Sequence, residues 1–297
     1  MRVLIVRPSA LGDTLMLTPA LCQIADKVEL TLLGRRPGID FLNPFLRHCL
    51  DYEKGGWHTL FLENPNCKDL PLPEVDRVIS FLSDPGNKGT KGLKVCLKNI
   101  PIFSFPPFPP KKEKIHVALY LASCLEKSGL PVNPEEAIEE AMRRPLFGKN
   151  ELSRSGSIVV LHPGSGSKKK NYPPEFWLDL IRGKALGLFH KRILLLGPAE
   201  EEWYQILAKG LSGVEIEIVH SPDKDRLLSL LKNASLYIGH DSGITHLTAM
   251  LGTQTIGLFK DSDPLQWAPL GPDVTVISND KSLKIIYKKI KERLHKL

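Results

Sequence analysis

The sequence contains no apolar run that approaches the roughly 18 residues a membrane-spanning helix needs, which argues against an integral membrane protein. Its opening stretch, MRVLIVRPSA, has too short an apolar core for a signal peptide and lacks a small-residue cleavage pattern. The expectation is a cytoplasmic protein. Cysteine is sparse: Cys22, Cys49, Cys67, Cys96 and Cys124 all fall in the first half, with no CxxC pair. An odd count without framework spacing reads as reduced thiols and argues against a disulfide scaffold or a zinc site. Acidic residues are the scarcer charge, 33 against 40 Lys and Arg, for a net charge of +7. That surplus suits an anionic partner such as a nucleotide phosphate, a nucleic acid or a lipid surface. No RNA- or DNA-binding motif accompanies it, so nucleic acid is the weakest of the three.

What the chain does have is one plan written twice. At 297 residues, 42% hydrophobic and 25% charged, it is long enough for one large or two ordinary globular domains. Strand-like RVLIV leads into a glycine-containing loop and a helix-like run to about Lys27, followed by strand-like VELTLLG and RVISFL. From Ser157 the pattern restarts: SIVVLHPG, helix-like PPEFWLDLIRG, then RILLLG, VEIEIVH, LYIGHD and TQTIGLF as strands with helical runs between them. Strands alternating with helices of this length predict parallel α/β sheets, and two such sets predict two Rossmann-like domains facing a cleft. We place the domains at 1–150 and 151–297, joined through the polar RRPLFGKNELSRSGS, with the last helix free to pack back on the N-terminal domain. The segment 100–116, IPIFSFPPFPPKKEKIH, concentrates prolines, phenylalanines and lysines. It reads either as a Pro-rich surface connection or as a contact with an anionic lipid surface.

Three stretches carry chemistry. In SALGDTLMLTPAL (9–21) the single ionisable residue is Asp13, directly after a glycine and before Thr18-Pro19, a good N-cap and first-turn pair. That start for the helix leaves Asp13 in the loop before it, whereas a helix starting at Asp13 should kink at Pro19. LHPGSGSKKKNYPPEFW (161–177) follows a buried strand. Gly164, Ser165, Gly166 and Ser167 let backbone N–H groups approach an anion, and Lys168, Lys169 and Lys170 supply positive charge. The spacing is not that of a P-loop. IGHDSGITHLTAMLGTQTIGLF (238–259) repeats the logic, with Ser242 and Thr245 at the opening of a helix whose free N–H groups suit a diphosphate. Asp241 would accept sugar hydroxyls or cap that helix. Glu200 and Glu201 after RILLLG suit ribose hydroxyls, or an ordinary surface helix start. The DSD at 261–263 lacks companion ligands and is not read as a metal site.

GDTLMLTPAL, HPGSGSKKKNYPPEFW and DSGITHLTAMLGTQTIGLF, in this order and at these separations, resemble the heptosyltransferase family of lipopolysaccharide assembly. The resemblance covers almost the whole chain. It implies a GT-B fold and inverting transfer of heptose from ADP-heptose to a hydroxyl of a lipid-linked inner-core acceptor. It also implies no metal and no cofactor, the ADP-sugar being a substrate, and work in peripheral contact with the cytoplasmic face of the inner membrane. By correspondence Asp13 is the general base and Lys170 the phosphate-binding lysine, with Lys168 and Lys169 alongside. Ser165 and Gly166 approach the phosphates, and Ser242, Gly243, Ile244 and Thr245 cradle the diphosphate. Asp241 and His246 touch the sugar, and Glu200 holds the ribose, with Glu201 next to it. Two positions depart from the family pattern: Tyr172 where relatives carry Trp, and Ile244 where they carry Pro. A GT-B enzyme with another donor or a different acceptor, and a nucleotide-sugar-binding protein without transfer, are the alternative readings.

Overall fold

The computed structural model describes residues 1–82, 85–110, 112–148, 157–278 and 283–294. The chain divides into two units, Met1–Glu140 and Ala141–Leu297, so the division falls within the helix Pro134–Arg143. Much of the linker expected between Arg143 and Ser157 lies outside the described residues.

The first unit is built on β1 (Arg2–Arg7), β2 (Glu29–Gly34), β3 (His48–Asp51), β4 (Arg77–Ser80) and β5 (Ile102–Ser104). All pairs are parallel, in the order β3–β2–β1–β4–β5. Val3, Leu4, Ile5 and Val6 are fully buried, as a central strand covered on both faces requires. Leu4, Val6, Leu33, Val78 and Trp57 form a core on one face.

The second unit carries β6 (Ile158–His162), β7 (Lys191–Leu196), β8 (Glu217–His220), β9 (Leu236–His240), β10 (Thr255–Phe259) and β11 (Val274–Ser278). They too are parallel, in the order β11–β10–β9–β6–β7–β8. Read from β8, this is the 3-2-1-4-5-6 order of a Rossmann sheet. The first sheet has the same order without its sixth strand. Strands β3, β5 and β11 escape the sequence reading because each is a short, half-exposed edge strand with neither a long apolar run nor strict alternation.

The final helix, Leu283–Leu294, carries an apolar stripe. Ile286, Ile290 and Leu294 are buried in the core of its own unit, and Tyr287 stacks on Phe176 (4.8 Å between ring centroids). The Tyr287 hydroxyl also donates to the Phe176 carbonyl (2.7 Å).

The cysteines are not all reduced: Cys67 and Cys96 form a disulfide, with Cα atoms 5.1 Å apart. The helix Lys88–Cys96 packs on the turn Trp57–Phe61, where Gly92 lies against the Leu60 backbone. A pairing made by tertiary packing across 29 residues leaves no local spacing signature. Cys22, Cys49 and Cys124 remain thiols.

The second correction concerns Asp13, which lies within a short helix, Leu11–Leu15, rather than in a loop. Thr18 is the first residue of the next helix, Thr18–Ile24, and its hydroxyl donates to the Leu15 carbonyl (2.7 Å) instead of capping forward. A turn at Met16–Leu17 separates the two helices, so Pro19 falls in a first turn and needs no kink.

Candidate active site

Strand order fixes where a ligand belongs in the second unit. After β6 the chain winds through β7 to β8, then returns to place β9 on the other side of β6. The carboxyl ends of β6 and β9 therefore flank the switch point, where open α/β sheets bind ligands. The two glycine loops singled out from sequence leave from those ends.

The β6 loop is braced from within. The Ser165 hydroxyl donates to Asn171 Oδ1 (2.6 Å) and accepts the Ser167 N–H (3.3 Å), so it serves the loop rather than facing outward. Gly166 is exposed, with open space where a Cβ would stand, and leaves its backbone accessible. A Cβ on Gly164 would run into the Glu200 carboxylate and displace it. Glu200 is 2% exposed and its Oε2 accepts the Gly197 N–H (2.7 Å). Burial pushes its pKa up, with the Gly197 bond working the other way. Glu201, by contrast, faces His220 on the surface (2.8 Å). Of the two candidate ribose carboxylates, Glu200 is the one against the loop.

At the end of β9, Ser242 caps the helix Gly243–Met250 by accepting the Thr245 N–H (3.3 Å). The helix opens at the switch point, where the first-turn N–H groups of Gly243 and Ile244 favour an anion. Asp241 precedes them and carries the charge logic of the site. Its Oδ2 accepts Lys170 Nζ (2.6 Å) and the Ser262 hydroxyl (2.6 Å), and its Oδ1 lies 3.3 Å from His246 Nε2. Burial alone would raise the Asp241 pKa, but His246 and Lys170 together hold it well below the usual carboxylate range. Asp241 and His246 are buried, while the Lys170 side chain keeps about a third of its surface exposed. Lys168 points away to Glu202 (2.6 Å). Among the three adjacent lysines, Lys170 is the one paired at the switch point.

Residues the sequence reading passed over hold this arrangement. His240 Nδ1 donates to the Pro163 carbonyl (2.8 Å) and its Nε2 accepts the Tyr172 N–H (2.9 Å), tying the β6 loop to β9. His162 Nδ1 meets the Tyr237 hydroxyl (3.1 Å), which reaches Thr245 Oγ1 (3.0 Å); that Oγ1 also donates to the His240 carbonyl. Lys260 donates to the Asn171 carbonyl (2.9 Å). Ser262, inside the DSD, serves Asp241, and Asp263 caps the helix Pro264–Trp267 by accepting the Leu265 N–H (3.0 Å). No group of three or more His, Cys, Asp or Glu suited to a metal occurs among the described residues.

The buried histidines make acid stability a test of this scaffold. Burial pushes the pKa of His240 down to about 3 and that of His162 to about 4. An unfolded histidine titrates near 6.5, so below that pH the unfolded chain binds more protons than the fold and stability falls. Two such groups amount to roughly 4 kcal/mol lost from the second unit by about pH 5. Calorimetry is expected to show its unfolding transition at a lower temperature at pH 5 than at pH 7. A transition temperature flat over that range would contradict the neutral histidines.

In the first unit, Asp13 follows the carboxyl end of β1, beside β4 at that sheet's own switch point. Arg7, the last residue of β1, is fully buried there. Its Nε donates to the Asp13 carbonyl (3.1 Å) and its Nη1 to the Pro107 carbonyl (2.8 Å). Burial lowers the Arg7 pKa to about 10, opposed by the charge of Asp13, so it stays a cation at neutral pH. The phenylalanines of segment 100–116 are turned to their own unit: Phe103 meets Arg77, Phe105 meets Phe81 and Phe108 meets Arg7. These contacts favour the structural reading of that segment; Lys111 lies outside the described residues.

Two parallel sheets of Rossmann strand order in one chain, the second with its glycine loops at the switch point, define a GT-B protein. The Escherichia coli heptosyltransferase WaaC, solved with ADP, superposes with a TM-score of 0.71 at 18% identity, covering 98% of this chain and 99% of that one. E. coli ADP-heptose LPS heptosyltransferase II gives 0.69 at 13% identity, covering 100% and 99%. A Haemophilus influenzae protein provisionally named a glycosyltransferase is 24% identical over 91% of this chain and 86% of its own length. The chain belongs to glycosyltransferase family 9 (heptosyltransferase), whose family model matches residues 107–296. It is a glycosyltransferase. The matched span takes in every candidate residue of the second unit, while Asp13 lies outside it. No helix among the described residues is long and apolar enough to cross a membrane.

Proposed function

We propose that the enzyme transfers heptose from ADP-heptose, with inversion, to a hydroxyl of a lipopolysaccharide inner-core acceptor. The observation that carries the reading is Lys170 paired to Asp241 at the switch point, beside the free N–H groups of the helix Gly243–Met250. That is a preformed positive end for a diphosphate, with a buried carboxylate next to it for sugar hydroxyls. Two relatives support the choice of sugar: a Campylobacter coli lipopolysaccharide heptosyltransferase 1 is 27% identical over 41% of this chain, and WaaC has also been solved with ADP-2-deoxy-2-fluoro heptose.

In this reading Asp13 takes the proton of the acceptor hydroxyl as its oxygen bonds to the anomeric carbon. The bond from that carbon to the ADP oxygen breaks, and its electron pair leaves on the β-phosphate. Lys170 and the helix N-terminus receive that charge, so the step calls for no metal or cofactor. Glu200, buried against Gly164, holds the ribose; Ser165 keeps the loop in shape while Gly166 and the Ser242–Thr245 turn meet the phosphates. Asp241 and His246 read the sugar. The acceptor is lipid-linked, so the enzyme works peripherally at the cytoplasmic face of the inner membrane, which a net charge of +7 favours, and not on nucleic acid.

ADP release measured with ADP-heptose and a deacylated inner-core acceptor tests the reading. Release is expected only when both are present. Faster turnover with another nucleotide sugar would reassign the donor, and tight ADP-heptose binding without acceptor-dependent release would reduce the chain to a binding protein.

A further inference from the structure

Arg7 has no part in the reading above, yet it is a buried cation at the carboxyl end of β1 whose two fixed bonds both go to main-chain carbonyls. One of those carbonyls belongs to Asp13 and the other to Pro107. Its guanidinium lies 5.4 Å from the centroids of both Phe81, just past β4, and Phe108. The strap that carries Pro107 and Phe108 is pinned at a second point, where the Tyr120 hydroxyl donates to the Pro106 carbonyl (2.9 Å). A third tie is the Phe105 N–H, which donates to the Ser80 carbonyl (2.9 Å) at the end of β4.

Burying a guanidinium is costly, even with the charge of Asp13 offsetting part of that cost. A Leu or Met would fill the space between two rings at less cost. What an apolar residue would not do is hold the carbonyl of Asp13. That residue sits in a five-residue helix with no side-chain cap, too short to be rigid alone. The planar fork of Arg7 reaches the Asp13 carbonyl and the strap at once, a geometry that lysine cannot reproduce.

We propose that Arg7 is the positioning residue for Asp13, and that the strap Phe105–Phe108 locks Arg7 in that role. The Pro-rich segment thereby belongs to the support of the reacting carboxylate. The proposal rests on Asp13 being the base. It concerns the first unit alone, whereas the donor loops belong to the second, so it separates the rate of transfer from donor binding.

The test compares Asp13→Ala, Arg7→Met, Arg7→Lys and Phe108→Ala in the ADP-release assay, with ADP-heptose affinity measured calorimetrically. If Asp13→Ala is inactive, both Arg7 variants are expected to lose on the order of 10²-fold in kcat, the cost of a small misplacement of a reacting group. Donor KM and affinity are expected to stay within about twofold. Wild-type kcat in folded Arg7→Met or Arg7→Lys overturns the positioning role and leaves Asp13 as base. An active Asp13→Ala removes the base and the proposal with it. Should both Arg7 variants fail to fold, Phe108→Ala decides, since it keeps the guanidinium and uncovers one face. A lower kcat at unchanged donor affinity supports the lock, and unchanged kcat overturns it.

Discussion

Replacing Asp13 by alanine is expected to lower the rate of transfer by about 10²- to 10⁴-fold, the range a general base contributes, with ADP-heptose affinity retained. Geometry on either side of the sequence position motivates the split. Asp13 stands at the switch point of the first sheet, while the glycine loops, Lys170 and Asp241 all stand at that of the second. The carboxylate is only partly buried and its helix is short, so alanine, a good helix former, should leave the fold intact. Asp13→Asn is the sharper variant. It keeps size and polarity but cannot take a proton at neutral pH, so it is expected to be as inactive as alanine. Calorimetric binding beside single-turnover transfer reads both quantities. Transfer at wild-type rate in Asp13→Asn would exclude Asp13 as base, and loss of donor affinity would make it a binding residue instead.

Much of this was open to reading in the sequence, and for identifiable reasons. Parallel strands buried on both faces are continuous Val, Ile and Leu runs, so RVLIV and IVVLH announce themselves, and glycine loops after such runs mark strand ends. The loops at the ends of β1, β6 and β9 are therefore legible in the sequence. Short edge strands such as β3 and β5 carry no such run. The supporting side chains were hidden for a different reason. His240, Tyr237, Asn171 and Ser262 gain meaning only from partners 6 to 89 residues away, as the Ser165–Asn171 and Lys260–Asn171 bonds show. An arginine at a strand end reads as surface charge, and the sequence does not show that Phe81 and the strap meet over Arg7. The disulfide was hidden in the same way, because helix packing rather than spacing brings Cys67 to Cys96.

Lys170→Met is the second large effect expected, and its distribution between binding and rate is informative. The ammonium is paired with Asp241 at 2.6 Å. A diphosphate shares the ammonium, which has three donors, with that carboxylate, so part of the attraction to the donor is already offset by Asp241. The charge on the β-phosphate grows only as the bond to the sugar breaks, and there the balance favours phosphate fully. Loss of Lys170 should therefore fall mainly on kcat, by about 10²- to 10³-fold, as for removal of one donor to a developing oxyanion. Donor affinity should fall much less. Asp241 keeps His246 and Ser262 as partners in this variant, so the second unit is expected to fold. Asp241→Asn then supplies the control: it frees Lys170, and the double variant with Lys170→Met should be non-additive, since contacting residues couple by about 0.5–3 kcal/mol. A loss confined to donor affinity, with single-turnover rate unchanged, would make Lys170 a simple phosphate anchor and leave the departing ADP to the helix N-terminus alone.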